Sequence, residues 1–263
     1  MPHHEPQPFA EFDFDLARAV LEQLVEAFNQ LPTGLLSPTL FQHMHRSQGV
    51  YQLYLGPDLR YVGKASHLPA RLAKHYRTLS ARQNIDITQL GFRALYIHRN
   101  WTTWTTEEAM IRHFISVTHW NTSGFGSNDP GHNREDTAED DTFNNQYPIN
   151  PDIPCTWIGP QTSTAWEILN ALEDAKKLPY LFRFQRVTKK FHRPVDHDAQ
   201  HQLKETRISI PRANMTVREL LIEIARQLGG GWQATQFKGR LILYKERVRY
   251  NHGIILWPPD VRP

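Results

Sequence analysis

The 263-residue sequence predicts an α+β protein, and three patterns predict it. Two short alternating runs flank Gly56-Pro57-Asp58 as the arms of a β-hairpin. Other segments repeat apolar residues at three- and four-residue spacing, as amphipathic helices do. A third alternating run between such helices adds a strand to the hairpin.

In chain order, Leu16, Val20, Leu21, Leu24, Val25 and Phe28 mark a helix from Asp13 to Gln30, which Pro32 ends. Gly49–Leu55 reads as a strand, Gly56-Pro57-Asp58 as a tight turn, and Leu59–Gly63 as the returning strand. Leu68, Leu72, Tyr76 and Leu79 fall at helical spacing, Phe92–His98 alternates as a third strand, and a helix runs from about Thr106 to about Val117. Asn121 to Asn150 is turn-rich and acidic and reads as a long ordered loop, the natural boundary region. A helix over Ala165–Lys177 and a basic strand over Leu181–Val187 follow. Beyond them come a strand over Arg207–Ile210 and a helix over Thr216–Leu228. Thr216 and Glu219 form a capping box for that last helix, and Gly229-Gly230-Gly231 stops it. Trp232–Thr235 and Leu241–Tyr244 are the arms of a second hairpin turning at Lys238-Gly239. These elements divide the chain into an N-terminal helical extension (1–44), a core (45–135) and an acidic loop with a basic α+β extension (136–263).

Composition narrows the function. The longest apolar runs, such as Ile254–Trp257, fall far short of the roughly 18 to 20 residues of a membrane helix, and the first residues lack a signal-peptide pattern. A membrane partner is therefore not expected, and the expected location is the cytoplasm. The single cysteine, Cys155, can form neither an internal disulfide nor a thiolate-rich zinc site. The net charge of +3 conceals segregation: −5 over residues 1–30, +5 over 31–133, −8 over 134–174 and +9 over 179–263. Two basic blocks around an acidic one suit a protein that meets a polyanion with part of its surface, although solvated faces can carry such blocks too.

The chemistry-bearing residues cluster in the core. Gly49-Val50-Tyr51 and Tyr61-Val62-Gly63-Lys64 lie on the two hairpin strands, which brings the tyrosines near one another across the sheet. Arg71 and His75, four apart, share a helix face beside the apolar stripe. On the helix from about Thr106, the mean direction of Met110, Ile111, Phe114 and Ile115 falls close to Glu107. Glu107 therefore points inward, where a carboxylate is costly without a metal or cation, and Glu108 reads as first-turn charge.

In this order and spacing the residues resemble the GIY-YIG nuclease superfamily. His75 four residues after Arg71, Asn100-Trp101, and Trp120-Asn121 leading to Gly124–Gly131 resemble its Type II restriction endonuclease branch more narrowly. The resemblance covers about residues 45–135 and implies a small mixed sheet flanked by helices. It also implies hydrolysis of DNA phosphodiester bonds by one divalent ion on Glu107. Magnesium is the ion implied, with manganese able to substitute, because a lone hard carboxylate leaves positions for water and phosphate. Arg71 would neutralise the pentacovalent phosphate, and Tyr51 would take the proton of the attacking water with help from Lys64 and the metal. His75 would accept or relay that proton, Tyr61 would hydrogen-bond the phosphate or water, and Asn121 would orient a neighbour or the phosphate.

Rival readings carry less. Pro151-Asp152 with Asp174-Ala175-Lys176 spells a PD-(D/E)xK pattern, but its second half falls on a predicted helix where that motif needs a strand. A non-catalytic DNA-binding module would lack catalytic positions, and all are filled. Repair and mobile-element nucleases share the site but join it to modules that are not apparent here. A restriction enzyme would cut double-stranded DNA at a specific, palindromic site, and Arg183, Arg186, Lys189, Lys190 and Arg193 in the basic extension are the candidates to contact it. One active site per chain and two strands to cut imply a homodimer or a larger symmetric assembly.

Overall fold

The computed structural model describes residues 16–97, 113–114, 117–123, 125, 142–174, 176–186 and 197–258. Glu107 and Glu108 lie outside the described residues, as does most of their predicted helix. So do Lys189, Lys190 and Arg193. The chain divides into two compact units, residues 1–71 with 89–121, and residues 72–88 with 122–263.

In the first unit, α1 (Leu16–Gln30) leads to a two-residue strand β1 (Gly34–Leu35) and a helical turn α2 (Pro38–Phe41) capped by the Ser37 hydroxyl. The predicted hairpin is formed by β2 (Gly49–Leu55) and β3 (Asp58–Ala65), closed by Gly56 at φ +60°. Such a φ is open to glycine at no steric cost. Helix α3 (Leu68–Ser80), of which only Leu68–Arg71 belongs to this unit and the rest to the second, buries Leu68, Leu72 and Leu79 completely, and β4 (Leu90–Tyr96) pairs with β2. The sheet order is β1-β4-β2-β3, antiparallel throughout. Alternation along β2 and β3 sends Val50 and Val62 to one face, where they pack with Leu24 and Phe28 of α1. The N-terminal helix thus closes the core of this sheet.

The second unit holds the strands β5 (Gln161–Thr164), β6 (Leu181–Phe184), β7 (Arg207–Ile210), β8 (Trp232–Gln236), β9 (Arg240–Lys245) and β10 (Ile254–Trp257). β10, β8, β9 and β6 form a sheet in that order, and mixed pairing occurs here, since β6 runs parallel to β9. β5 pairs with β7. Helices α6 (Ala165–Leu172), α7 (His197–Glu205) and α8 (Val217–Leu228) cover one face, burying Leu169, Leu220 and Ile224 against Phe182 and Leu243. The capping box of α8 forms as predicted, with Thr216 accepting from the Glu219 N–H and the Glu219 carboxylate accepting from the Thr216 N–H.

Two expected spans are shorter than read. α6 stops at Leu172, five residues before Lys177, because Asp174 turns back to accept the Lys176 N–H at 2.9 Å and closes the chain into a turn. β6 ends at Phe184, where its parallel register with β9 ends. Within the expected loop Asn121–Asn150, the described residues include two short helices, α4 (His119–Thr122) and α5 (Thr142–Gln146). Among the described residues, no helix is long and apolar enough to cross a membrane.

Candidate active site

The hairpin register sets the site. Tyr51 lies opposite Gly63 and Leu53 opposite Tyr61, so Tyr51 and Tyr61 share one face, offset by two residues, with ring centroids 6.0 Å apart. Gly63 sits between them, and a Cβ there would fall 2.7 Å from the Tyr51 hydroxyl and 2.7 Å from the edge of the Tyr61 ring. At the start of β2, a Cβ on Gly49 would collide with the Leu95 carbonyl oxygen of the neighbouring strand. Each glycine is required by space rather than by backbone conformation, one for strand approach and one for the tyrosine pair.

Arg71, one turn into α3, joins them. Its Nε donates to the Tyr51 hydroxyl at 3.3 Å, and it also bonds the Tyr61 phenol. Tyr51 is fully buried, and burial pushes its phenol above the usual range; the neighbouring Tyr61 adds to the rise and Arg71 opposes it. Burial acts to lower the Arg71 pKa, but the bonds to both phenols outweigh it and leave the guanidinium above its ordinary value. The pair is therefore a cation beside a neutral phenol at any working pH.

Lys64 is not part of that pair. It lies opposite Val50, so the pleat directs it to the Val50 and Val62 face, away from the face of Tyr51 and Tyr61. Among the described residues, Arg71 is the cation that opposes the rise of the Tyr51 phenol.

Asn121, on α4, has its amide engaged by the motif strand itself. Its Oδ1 accepts the Val62 N–H at 2.9 Å and its Nδ2 donates to the Val62 carbonyl at 2.8 Å. β3 is an edge strand, and these two bonds continue its ladder at the residue between Tyr61 and Gly63. Asn121→Asp keeps the acceptor and removes the donor, leaving the Val62 carbonyl without its partner. We expect a loss of about 1–3 kcal/mol in denaturant unfolding, with the larger part absent in Asn121→Gln if the longer amide reaches both groups.

In the second unit, His75 is buried at 5% exposure, with its ring 5.1 Å from that of Phe125. The aromatic partner of this imidazole was not apparent from spacing, because Phe125 lies within a glycine-rich stretch that reads as loop. Arg183 and Arg186 both pair with Glu173, and Arg186 also lies 4.4 Å over the Phe184 ring and 5.5 Å from that of Trp166. Two of the five basic residues expected to face DNA are thus held by an acidic residue of their own unit. The PD-(D/E)xK alternative loses its first carboxylate to a two-pronged bond from Arg218, at 2.7 and 3.2 Å from Asp152, and Asp174 and Lys176 of its second half are not on a strand. Among the described residues, no group of three or more His, Cys, Asp or Glu side chains could hold a metal ion.

Residues 56–143 match the family model described as the Eco29kI GIY-YIG domain. The chain carries a GIY-YIG nuclease domain. The match spans about a third of the sequence and includes Tyr61, Lys64, Arg71, His75, Glu107 and Asn121. The Gly49–Tyr51 half of the tyrosine pair precedes the matched segment and joins it through the hairpin register. No curated protein matches the chain. The match supports a DNA endonuclease activity for this domain, and the α+β architecture agrees with it.

Proposed function

We propose that this protein is a Type II restriction endonuclease that hydrolyses phosphodiester bonds of double-stranded DNA at a specific, palindromic site and acts as a homodimer or larger symmetric assembly. The carrying observation is the meeting of Tyr51, Tyr61 and Arg71 on one face of the hairpin, in a chain whose core matches the Eco29kI GIY-YIG domain.

Arg71, charged at all working pH, meets the extra negative charge of the pentacovalent phosphate. Tyr51 and Tyr61 hold the phosphate and the attacking water by hydrogen bonds from their hydroxyls. Tyr51 and the imidazole of His75 are the motif's candidate proton acceptors; burial opposes a Tyr51 phenolate, and a bound cation would favour it. The metal ligand would be Glu107, the inward carboxylate of the helix from about Thr106 that the family resemblance implies. One carboxylate suits a hard ion that keeps most of its waters, magnesium in the first place and manganese as a substitute. When bound, such an ion supplies Lewis acidity at the scissile phosphate.

The test is digestion of phage or plasmid DNA by the purified protein with magnesium or with chelator. Discrete fragments that require magnesium are the expected result. Smearing, or cutting confined to flaps and lesions, would point to a repair or mobile-element nuclease, and intact DNA of every kind would refute the enzymatic reading.

A further inference from the structure

Among the described residues of the second unit, most arginines are engaged within the unit itself. Acidic neighbours hold Arg183, Arg186, Arg212, Arg218 and Arg226 in ion pairs. All but two of its other described arginines bond main-chain carbonyls or lie over an aromatic ring. The exceptions are Arg247 and Arg249. Both are exposed, and among the described residues neither has a hydrogen bond, an ion pair or a ring contact.

They sit on the segment that joins β9 to β10, and the chain beneath them is fastened on either side. The Tyr250 hydroxyl donates to Glu246 at 2.9 Å, and Tyr250 itself is buried with Phe237, Ile242 and Tyr244. Between the two arginines, the Val248 carbonyl accepts from the amide of Gln233, a side chain 1% exposed on β8. Anchors at 246, 248 and 250 thus alternate with arginines at 247 and 249 that face solvent. A held backbone lowers the ordering cost of binding, while the uncompensated guanidiniums keep their full charge for a partner.

We propose that Arg247 and Arg249 form a clamp for the DNA backbone in the C-terminal extension, an inference that rests on the reading of this chain as a DNA endonuclease. Two residues of chain span at most about 7 Å, so the pair addresses neighbouring phosphates of one strand rather than both strands. Guanidinium suits phosphate by its planar, forked donors. The partner is thus the sugar-phosphate backbone, which these residues bind without reading bases.

The experiment compares the wild type with Arg247→Gln/Arg249→Gln in binding a short labelled duplex in chelator across a range of salt. Loss of two phosphate contacts reduces the slope of log affinity against log salt by about two, equally for related and unrelated sequences. Thermal melting should stay unchanged, because neither side chain supports the fold. The matched control, Arg212→Gln/Arg226→Gln, removes two exposed but paired arginines and should leave the slope as it was. An unchanged slope in the Arg247/Arg249 variant of a protein that binds DNA would overturn the clamp and leave the endonuclease reading standing. A wild type that binds no duplex at any salt would overturn both.

Discussion

Arg71→Ala is expected to lower the DNA cleavage rate by about 10²- to 10³-fold, the usual consequence of removing one preorganised donor to a developing oxyanion. The reasoning starts from the hydrogen bond of Arg71 Nε to the Tyr51 hydroxyl. A guanidinium fixed by one nitrogen keeps its remaining donors in a known plane, available to phosphate without further ordering. Its removal has a second consequence, because the fully buried Tyr51 loses its charged donor while keeping its bond with Tyr61. Loss of that charged bond costs about 1.5–3 kcal/mol of stability. Arg71→Lys separates the two effects. Lysine restores a positive charge but offers one ammonium where the arginine serves both phenols with a planar fork. Cleavage should therefore stay far below wild type in Arg71→Lys even where melting recovers. Single-turnover cleavage alongside thermal melting checks this, and wild-type turnover in Arg71→Ala would remove Arg71 from the reaction.

The contrast between Arg71 and Arg183 illustrates how far the sequence could be read. Strand period and helix period depend on local chain geometry, so the hairpin, α3 and the tyrosine pair could be anticipated from spacing, as could the capping box at Thr216 and Glu219. Which cation meets which partner depends on contacts distant in sequence. The pleat sends Lys64 away from Tyr51, and Glu173 takes up Arg183 and Arg186 from the end of a helix. Asn121 bonds a main chain 59 residues earlier, a pairing that only the returned strand reveals. The missed elements β1, α2, β5, α7 and β10 are short, polar or proline-bordered, so their periodicity is too brief to register.

Gly63→Ala is expected to remove most cleavage activity at a modest cost in stability, whereas Gly49→Ala should prevent the protein from folding. Neither glycine is explained by a positive φ, so the difference lies in what the added methyl meets. At Gly63 the obstacles are side chains, the Tyr51 hydroxyl and ring carbon at 2.7 and 2.8 Å and the Tyr61 ring at 2.7 Å. Side chains can shift, and overpacking of this kind costs about 1–3 kcal/mol. Yet the shift falls on the two phenols and on the bond that Tyr51 accepts from Arg71, and a displacement near 1 Å in a reacting constellation lowers rates by about 10²-fold. At Gly49 the obstacle is the Leu95 carbonyl of β4, with the Leu68 side chain 2.6 Å away on the other flank. A backbone carbonyl engaged in a central ladder cannot yield, so β2 must leave β4 and the sheet loses its middle pairing. Circular dichroism melts and cleavage assays on the two variants distinguish the cases. A folded Gly63→Ala with wild-type turnover would show that the tyrosine pair need not hold its spacing for catalysis, and a folded Gly49→Ala would show that β2 and β4 tolerate separation.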